Sequence, residues 1–487
     1  MEPTIWTPRM VQALDDGVKG GKWYSLWDKV IAPRALEAAF AKVKANDGAA
    51  GVDHVSVEAF ERDKERTLKT LHASLKDGTY RPSAIRRCYI SKAGSKELRP
   101  LGIPTVRDRV VQTALRAAIE PIFEREFADH SYGFRPRRSA HEAIDRVEHL
   151  LCAGMQWVVD VDLKSYFDTV PHAALMAKVR ARVADGRVLE MIETFLRQPV
   201  AEEGRQWTPS VGTPQGAVVS PVLSNVYLDG LDHHMVRAGF EMTRYADDFV
   251  IQCQSEEDAV RALAEVTRWC GEAELTVHPT KTRIVRVSAT EGFDFLGYHF
   301  RARKEDSKRV RKWPREKSQA KLKTAVRPLT KRTNGHSLEA ILRRVNVVLR
   351  GFFGYFRKSD RCGLVALDKW IRGRLRSILR RRDNRRGKGG GPDQSLAESS
   401  SGSGALLAGQ SPEQTRTPRA GEPPTGEPHA GDPPRFGGGA RSNRPSLPLL
   451  GNEAIERAGQ RTAKHSRRSG SRLLRHKRRT CPARISA

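Results

Sequence analysis

Two neighbouring aspartates lie inside a short apolar stretch of the chain. The string Arg244-Tyr245-Ala246-Asp247-Asp248-Phe249-Val250-Ile251 has the layout of a strand, a turn and a second strand, with the acids at the tip. Two adjacent carboxylates repel each other when both are charged, and a divalent cation removes that cost. The pattern therefore indicates a metal site, with an ordinary acidic hairpin turn as the alternative.

A second acidic stretch lies upstream, in Trp157-Val158-Val159-Asp160-Val161-Asp162-Leu163. Strand alternation places Val159, Val161 and Leu163 on the buried face and both aspartates on the opposite face. Phosphoryl transfer with two metal ions needs carboxylates from separate segments, which hold the ions ~3.5–4 Å apart. Asp162 together with Asp247 and Asp248 would meet that need, and the alternative is a set of unrelated surface acids.

The elements that must position these acids follow a mixed pattern. Residues 86–103 read as two strands around a polar turn at residues 92–96. A long helix follows, with Val106, Val110 and Ala114 on one face, and we expect it to end before Pro121. Helices and strands then alternate to about residue 300, which predicts an α+β fold.

Positive charge is concentrated in one part of the chain, residues 301–386, which we call the basic segment. It holds 29 Lys and Arg against 7 Asp and Glu, whereas residues 1–300 hold 40 against 42. Such a field attracts polyanions, so nucleic acid is the expected partner. Two amphipathic helices are predicted here, the first capped by Ser337. Their apolar faces should pack while these arginines stay solvated: Arg343, Arg344, Arg350, Arg372, Arg374 and Arg376.

The remaining composition narrows the class of protein. The six cysteines form no CxxC pair, which disfavours a zinc finger or a disulfide scaffold. No apolar run is long enough for a membrane helix, so a soluble protein of the cytoplasm is expected. Residues 387–460 are rich in Gly, Pro and Ser and are predicted to be disordered. Residues 461–484 hold ten Lys and Arg and no acid, which fits either a nucleic-acid-binding tail or an unselected extension.

The order of the motifs resembles reverse transcriptases, most closely the maturase–reverse transcriptases encoded by mobile group II introns. The resemblance covers roughly residues 22–386 and rests on eight strings in the family's order. Besides the two acidic stretches, the strings are Asn46-Asp47-Gly48-Ala49-Ala50-Gly51-Val52-Asp53, Leu98-Arg99-Pro100-Leu101-Gly102-Ile103-Pro104-Thr105, Ser131-Tyr132-Gly133-Phe134-Arg135-Pro136, Gly212-Thr213-Pro214-Gln215-Gly216, His278-Pro279-Thr280-Lys281-Thr282 and Phe295-Leu296-Gly297-Tyr298.

The resemblance implies an RNA-directed DNA polymerase with the shape of a right hand. Residues 1–85 would be an N-terminal extension leading into the fingers, 86–300 fingers and palm, and 301–386 a helical thumb and maturase domain. The tail, residues 387–487, lies outside the resemblance and is predicted from its composition to be disordered and basic. Asp162, Asp247, Asp248 and the carbonyl of Leu163 would hold two Mg²⁺ ions. The partners would be an RNA template with a DNA primer, deoxynucleoside triphosphates and the parent intron RNA, whose splicing the protein would aid.

Further residues receive roles from the same resemblance. Lys92 and Arg99 match cations that grip the incoming triphosphate, although Lys96 competes with Lys92 for that role. Phe167 matches a ring that excludes the ribose 2′-hydroxyl, or else it is a core aromatic. Gln215 matches the loop behind the new base pair, and Lys281 matches a lysine near the leaving pyrophosphate or is a surface lysine.

RNA contacts are the least specific part of the resemblance. Arg135 would touch the template or hold the fingers together, and the sequence does not separate these two roles. In the basic segment, RNA contacts are assigned to Arg343, Arg344, Arg350, Arg372 and Arg374.

Many members of this family end with a Cys- and His-containing endonuclease. Because Cys481 is the single cysteine after Cys362 in this sequence, we do not expect such a metal site in the tail. Two rival functions stay open at this point. One is an RNA-binding splicing cofactor with a vestigial polymerase site, and the other is a retron-like or domesticated reverse transcriptase without a splicing role.

Overall fold

The structure, a computed structural model, describes residues 1–91, 98–304, 306 and 309–382. Its helices are α1 Pro8–Asp16, α2 Trp27–Val30, α3 Pro33–Asn46, α4 Val57–Arg62, α5 Lys64–Lys76, α6 Val106–Glu124, α7 Ala140–Cys152, α8 Tyr166–Thr169, α9 His172–Arg180, α10 Gly186–Leu196, α11 Ser220–Arg237, α12 Glu256–Glu272, α13 Glu316–Leu329, α14 Leu338–Phe356 and α15 Arg361–Arg382. Its strands are β1 Ile85–Ser91, β2 Leu98–Ile103, β3 Trp157–Asp162, β4 Val200–Glu202, β5 Arg205–Trp207, β6 Glu241–Tyr245, β7 Asp248–Cys253, β8 Arg283–Arg286, β9 Gly292–Phe295, β10 Tyr298–Ala302 and β11 Val310–Pro314. The predicted α+β class is confirmed.

The central sheet has the strand order β6-β7-β3-β8, and each pair of neighbours is antiparallel. Val159, Val161 and Leu163 are buried as the alternation predicts, and they join the largest apolar cluster of the protein. Helices α11 and α12 pack against this sheet. The other face carries Asp160 and Asp162 and, beside them, Val158 and Val250, which are buried in a second apolar cluster with residues of α7.

A second sheet has the strand order β2-β1-β4-β5. The two strands expected in residues 86–103 are present, and they pair in register from Arg86 with Ile103 to Ser91 with Leu98. Strand β4 comes from a distant part of the chain and pairs with β1 in parallel, at Ile85 with Val200. We call this the finger sheet.

A third sheet has the strand order β11-β10-β9. The basic segment begins within its strand β10 and continues through β11 into α13, α14 and α15. Helix α14 starts where it was expected, and the Ser337 side chain accepts a hydrogen bond from the Ala340 amide. Buried Val326, Val345 and Ile371 bring the three helices together in their own apolar cluster. Helix α13 was not predicted from the sequence. The predicted tail, residues 387–487, lies outside the described residues.

The expectation that α6 ends before Pro121 is wrong, because the helix continues through this proline to Glu124. Pro121 has no amide hydrogen to donate to the carbonyl of Ala117, four residues earlier. The indole Nε1 of Trp6 donates to that carbonyl instead, at 2.9 Å. A side chain more than a hundred residues away thus satisfies the group that the proline leaves without its helical partner.

Substituting Trp6 with Phe is expected to destabilise the protein by about 0.5–1.5 kcal/mol more than Trp27→Phe, because the carbonyl of the half-buried Ala117 loses its donor. Both indoles are buried, at 3% and 7% exposure. The Nε1 of Trp27 has no hydrogen-bond partner among the described residues, so its loss removes no hydrogen bond. Urea unfolding of both variants measures the difference. Equal losses of unfolding free energy would show that Trp6 contributes only its ring.

No helix in the described ranges combines the length and the apolar character that crossing a membrane requires.

Candidate active site

The sheet register brings the three aspartates of the two acidic stretches to one place. Asp162, the last residue of β3, lies opposite Asp248, the first residue of β7. Tyr245 also lies opposite Asp248 and closes the β6–β7 hairpin, which we call the acid hairpin. Its turn consists of Ala246 and Asp247. Because facing residues of antiparallel strands have Cα atoms about 4.5–5.5 Å apart, the acids share one end of the sheet.

The surroundings of Asp247 and Asp248 raise the pKa of both carboxyl groups, so a full negative charge on each is unfavourable. Burial raises the pKa of the Asp247 carboxyl, and the nearby charge of Arg99 acts in the opposite direction. Asp248 is exposed at the start of its strand, but the surrounding protein displaces part of the hydration of its carboxyl group, which raises its pKa. The nearby charges of Asp160 and Asp247 raise this pKa further, to about 7. Neighbouring carboxylates in this state gain from a divalent cation between them.

Lys281 lies directly beside Asp162, with its Nζ 2.8 Å from Oδ2. The loop that carries it is fastened to the end of β3. The His278 amide donates to the Asp162 carbonyl at 2.7 Å, and the Asp162 amide donates to Thr282 Oγ1 at 3.3 Å. The string at residues 278–282 is thus joined to Asp162 by two hydrogen bonds, one between main-chain groups and one to the Thr282 side chain.

The oxygen atoms of Asp162, Asp247 and Asp248 are the kind of ligand that a hard divalent cation prefers. In the described ranges, no three His, Cys, Asp or Glu side chains already lie in a metal-binding arrangement. Among the described residues, none donates a hydrogen bond of good geometry to the enclosed Oδ2 of Asp162, and the ammonium of Lys281 lies 2.8 Å from it. The pairing of Leu163 with Val277 uses hydrogen bonds of the residues on either side, which leaves the Leu163 carbonyl free of that pairing. Asp160 differs, because its Oδ2 accepts a hydrogen bond from Arg283 Nε at 3.3 Å.

A fully buried arginine, Arg244, contacts the turn of the acid hairpin. Arg244 is the last residue but one of β6, and its guanidinium pairs with the carboxylate of Asp232, also fully buried. Its Nε donates to Asp232 Oδ1 at 2.7 Å, and its Nη1 donates to Asn225 Oδ1 at 2.9 Å. The same Nη1 donates to the Ala246 carbonyl at 3.0 Å. The guanidinium therefore holds the main chain immediately before Asp247.

The turn needs this support because Ala246 has a φ of 62°, in the left-handed region that costs a non-glycine residue about 1 kcal/mol or more. Gly133 packs against it so closely that a Cβ there would lie 2.2 Å from the Ala246 nitrogen. The carbonyl of Gly133 accepts a hydrogen bond from Asn225 Nδ2 at 2.9 Å. Any larger residue at position 133 would therefore collide with the main chain of Ala246.

Phe167 and Gln215 line one cleft, with a cavity volume of about 210 Å³ between the finger sheet and α8. The Phe167 ring is buried edge-on against Tyr166, with ring centroids 5.3 Å apart. The Gln215 carbonyl accepts from the Gly102 amide at 2.6 Å, which docks this loop on β2. Arg99, also on β2, is exposed, and its charge reaches Asp247. Lys92 lies outside the described residues.

Arg135 is buried, and its Nη1 donates to the carbonyls of Ala128 at 2.6 Å and Ser131 at 2.8 Å. Its Nε donates to the carboxylate of Glu124 at 3.1 Å. Of the two roles left open, this geometry favours the structural one.

The arginines of the basic segment divide into two groups. Arg343, Arg344, Arg350 and Arg372 are exposed, as expected. The expectation of a solvated side chain is wrong for Arg374, which is half-buried and donates from Nε to Thr330 Oγ1 at 2.6 Å. Its Nη2 also donates to the Thr330 carbonyl at 3.1 Å, directly after α13.

Sequence reasoning missed the residues beneath the acid hairpin. Asn225 and Asp232 lie seven residues apart on α11, a spacing that places both on one helix face. Arg244 precedes the acids in a strand otherwise suited to burial. A buried charge needs a partner of opposite sign. This rule alone could have indicated that Arg244 pairs with an acid elsewhere in the chain.

Comparisons with known proteins agree with the motifs. The family "Reverse transcriptase (RNA-dependent DNA polymerase)" matches residues 90–300, and "Group II intron, maturase-specific domain" matches residues 319–391. Protein YkfC of Escherichia coli strain K12 is 36% identical over 310 residues, which cover 55% of this chain and 81% of YkfC. The resemblance stated from the sequence is confirmed.

Two further comparisons are partial. The group II intron-encoded protein LtrA of Lactococcus lactis subsp. cremoris is 35% identical over 221 residues, which cover 45% of this chain and 36% of LtrA. A solved structure, "Partial Cas6-RT-Cas1--Cas2 complex", aligns with 50% of this chain and 42% of that chain, at 23% identity and a TM-score of 0.34. With YkfC matched over most of its length and both family domains present in order, the chain belongs to the reverse transcriptases that carry a group II intron maturase-specific domain.

Proposed function

We propose that Asp162, Asp247 and Asp248 hold two divalent cations, most simply Mg²⁺, at which RNA is copied into DNA. The observation that carries this proposal is the register of the central sheet, which places Asp162 opposite Asp248 at the acid hairpin. Oxygen ligands suit Mg²⁺, and a pair of such ions can activate an attacking hydroxyl and stabilise a leaving oxygen.

The chain's own residues supply the remaining parts of the reaction. Asp247 and Asp248 would hold the cations together with Asp162, and the Leu163 carbonyl would add a neutral oxygen ligand. Lys281, 2.8 Å from Asp162, would donate a proton to the leaving pyrophosphate or balance the charge of that group. Arg99 offers a guanidinium fork to the incoming triphosphate.

A primer-extension assay on an RNA template tests this function directly. With deoxynucleotides and Mg²⁺ the protein is expected to lengthen a DNA primer, and EDTA is expected to stop it. Wild-type protein that binds the template–primer duplex and adds no nucleotide with either Mg²⁺ or Mn²⁺ would leave the vestigial-site alternative standing.

Phe167→Ala is expected to admit ribonucleotides, because the ring lines the cleft that also holds Gln215. The ratio of kcat/KM for deoxynucleotide over ribonucleotide should fall at least about tenfold, since each tenfold step corresponds to about 1.4 kcal/mol of transition-state discrimination. Phe195→Ala removes a buried ring of the main core and is the matched control for lost stability. Unchanged sugar selectivity in Phe167→Ala would show that Phe167 is a core aromatic and does not select the sugar.

We also propose that the basic segment acts as thumb and maturase, gripping the template–primer duplex and the parent intron RNA. Support comes from its 29 Lys and Arg against 7 acids and from the match of residues 319–391 to the maturase-specific domain. Phosphate contacts of this kind release counterions, so the affinity should fall steeply with salt.

The exposed arginines allow a graded test of the RNA interface. Replacing Arg343 and Arg350 with Gln should lower the affinity for the intron RNA and flatten its salt dependence by about one to two released ions. Lys69→Gln, an exposed lysine of α5 outside the basic segment, is the control. An unaltered salt slope in the arginine variant would place the RNA on another surface.

A further inference from the structure

The loop that carries Gln215 spans residues 212–219, directly before α11, and we call it the Gln215 loop. Its Gly216 has a φ of 104°, which glycine adopts freely and other residues avoid. A Cβ at this position would collide with the carbonyl oxygen of Gly102 and with the side chain of Leu101, both on β2. The loop therefore packs against the finger sheet at a distance that only glycine allows.

Main-chain hydrogen bonds hold the first half of the Gln215 loop. The Thr213 amide donates to the Phe167 carbonyl at 2.6 Å, which joins the loop to α8. The Gln215 carbonyl accepts from the Gly102 amide, also at 2.6 Å, which joins the loop to β2. The loop thus connects the residue proposed to select the sugar with the strand that carries Arg99.

A side chain from α6 holds the second half of the loop. Gln112 Oε1 accepts a hydrogen bond from the Val218 amide at 2.7 Å. Gln112 is fully buried, and so are its apolar neighbours on the helix, Val111 and Leu115. Its Nε2 has no hydrogen-bond partner in the described part of the chain. Burying an amide group costs free energy, and the hydrogen bond to Val218 offsets part of that cost.

The contact with Gln112 fixes the main chain three residues after Gln215, and the contact with Phe167 fixes it two residues before. Gln215 is therefore held from both sides. Loss of the contact at Val218 would release one side of the loop. The three acids of the central sheet lie on other elements and would stay in place.

We propose that Gln112 is a positioning residue: its side chain fixes the Gln215 loop behind the new base pair and so determines how strictly a matched deoxynucleotide is preferred. This inference rests on the proposed function, because a new base pair forms only where the chain copies a template. Mismatched pairs differ in outline from matched ones. A loop held in one position accepts the matched outline and opposes the others.

Three substitutions separate the accepting oxygen from the rest of the side chain. Gln112→Met has nearly the same length and loses the oxygen that accepts from the Val218 amide. Gln112→Glu keeps that oxygen and replaces only Nε2, and burial keeps its carboxyl group protonated. Gln252→Met is the matched control. Gln252 is also buried, and its Nε2 donates to the Val147 carbonyl at 3.0 Å, between β7 and α7.

The experiment measures single-nucleotide extension by the full-length wild type and the three variants on an RNA–DNA template–primer with Mg²⁺. In Gln112→Met we expect KM for the matched deoxynucleotide to rise about fivefold, the effect of one lost hydrogen bond, while kcat stays within twofold. The ratio of kcat/KM for the matched over a mismatched deoxynucleotide should also fall about fivefold. Gln112→Glu and Gln252→Met should match wild type within twofold in both quantities. Urea unfolding shows that each variant is folded under the assay conditions.

Equal changes of KM and mismatch ratio in Gln112→Met and Gln252→Met would overturn the proposal, because the loop contact would then have no separate effect. A folded Gln112→Glu variant as defective as Gln112→Met would overturn it too, since the accepting oxygen is kept. If Gln112→Met does not fold, Gln112→Asn replaces it, because the shorter amide withdraws from Val218 and should act in the same direction. An inactive wild type would contradict the proposed function itself, and an active wild type with unaffected variants would contradict this inference alone.

Discussion

Asp247→Asn is expected to reduce primer extension by at least about a thousandfold while leaving the affinity for RNA within twofold. The amide keeps the size of the side chain and removes the negative charge that a divalent cation needs. A loss of about 4 kcal/mol of transition-state stabilisation corresponds to three powers of ten in rate. Single-turnover extension and filter binding on the same preparation measure both quantities.

The matched control for this variant is Asp160→Asn. Asp160 lies two residues before Asp162 on the same face of β3, but Arg283 already pairs with it at 3.3 Å. We expect its loss to change the rate by less than about tenfold, since its charge acts on Asp248 only through space. Equal losses in the two variants would mean that the general charge of this surface matters and that no specific metal site exists at Asp247.

Asp232→Asn is expected to lower the free energy of unfolding by about 3–5 kcal/mol, because it leaves the Arg244 guanidinium buried without a counter-charge. Both side chains are fully buried, so water cannot replace the lost partner. The hydrogen bond from Arg244 to the Ala246 carbonyl should loosen with it, and primer extension should fall even under conditions where the variant stays folded. Urea unfolding and extension assays at low temperature measure the two effects separately.

Glu124→Gln provides the comparison for this second prediction. Glu124 pairs with the buried Arg135 at 3.0 Å, but it is itself a quarter exposed, at 25%. Arg135 also keeps the carbonyls of Ala128 and Ser131 as acceptors. Glu124→Gln should therefore lower the free energy of unfolding by about 1 kcal/mol. If the two variants lose the same stability, Arg244 is not the support of the acid hairpin that its contacts suggest.

The parts of this structure that were predictable from the sequence are those set by short-range patterns. The alternation around Asp160 and Asp162 fixed which face of β3 is polar, and the apolar strands around Asp247 implied the hairpin. The cap at Ser337 marked the start of α14. In each case the deciding residues lie within a few positions of one another.

The parts that escaped prediction depend on partners far away in the chain. Helix α6 passes through Pro121 because Trp6 satisfies the carbonyl of Ala117. The Tyr355 hydroxyl, on α14, donates to the carbonyl of Leu296, 59 residues upstream. Arg374 was expected in solvent, but it is held by Thr330 at the end of another helix. Local propensity carries no information on such contacts, which exist only once the tertiary fold has formed.

The parallel pairing of β4 with β1 has a consequence for fragments of this protein. The chain leaves the finger sheet after Ile103 and returns to it only at Val200, so the sheet cannot be excised as one continuous piece. A truncated protein that starts at residue 104 would keep β4 and β5 but leave the main-chain amides and carbonyls along one side of β4 without a neighbour. Open strand edges of this kind recruit other chains, and such a fragment should accumulate as insoluble aggregate.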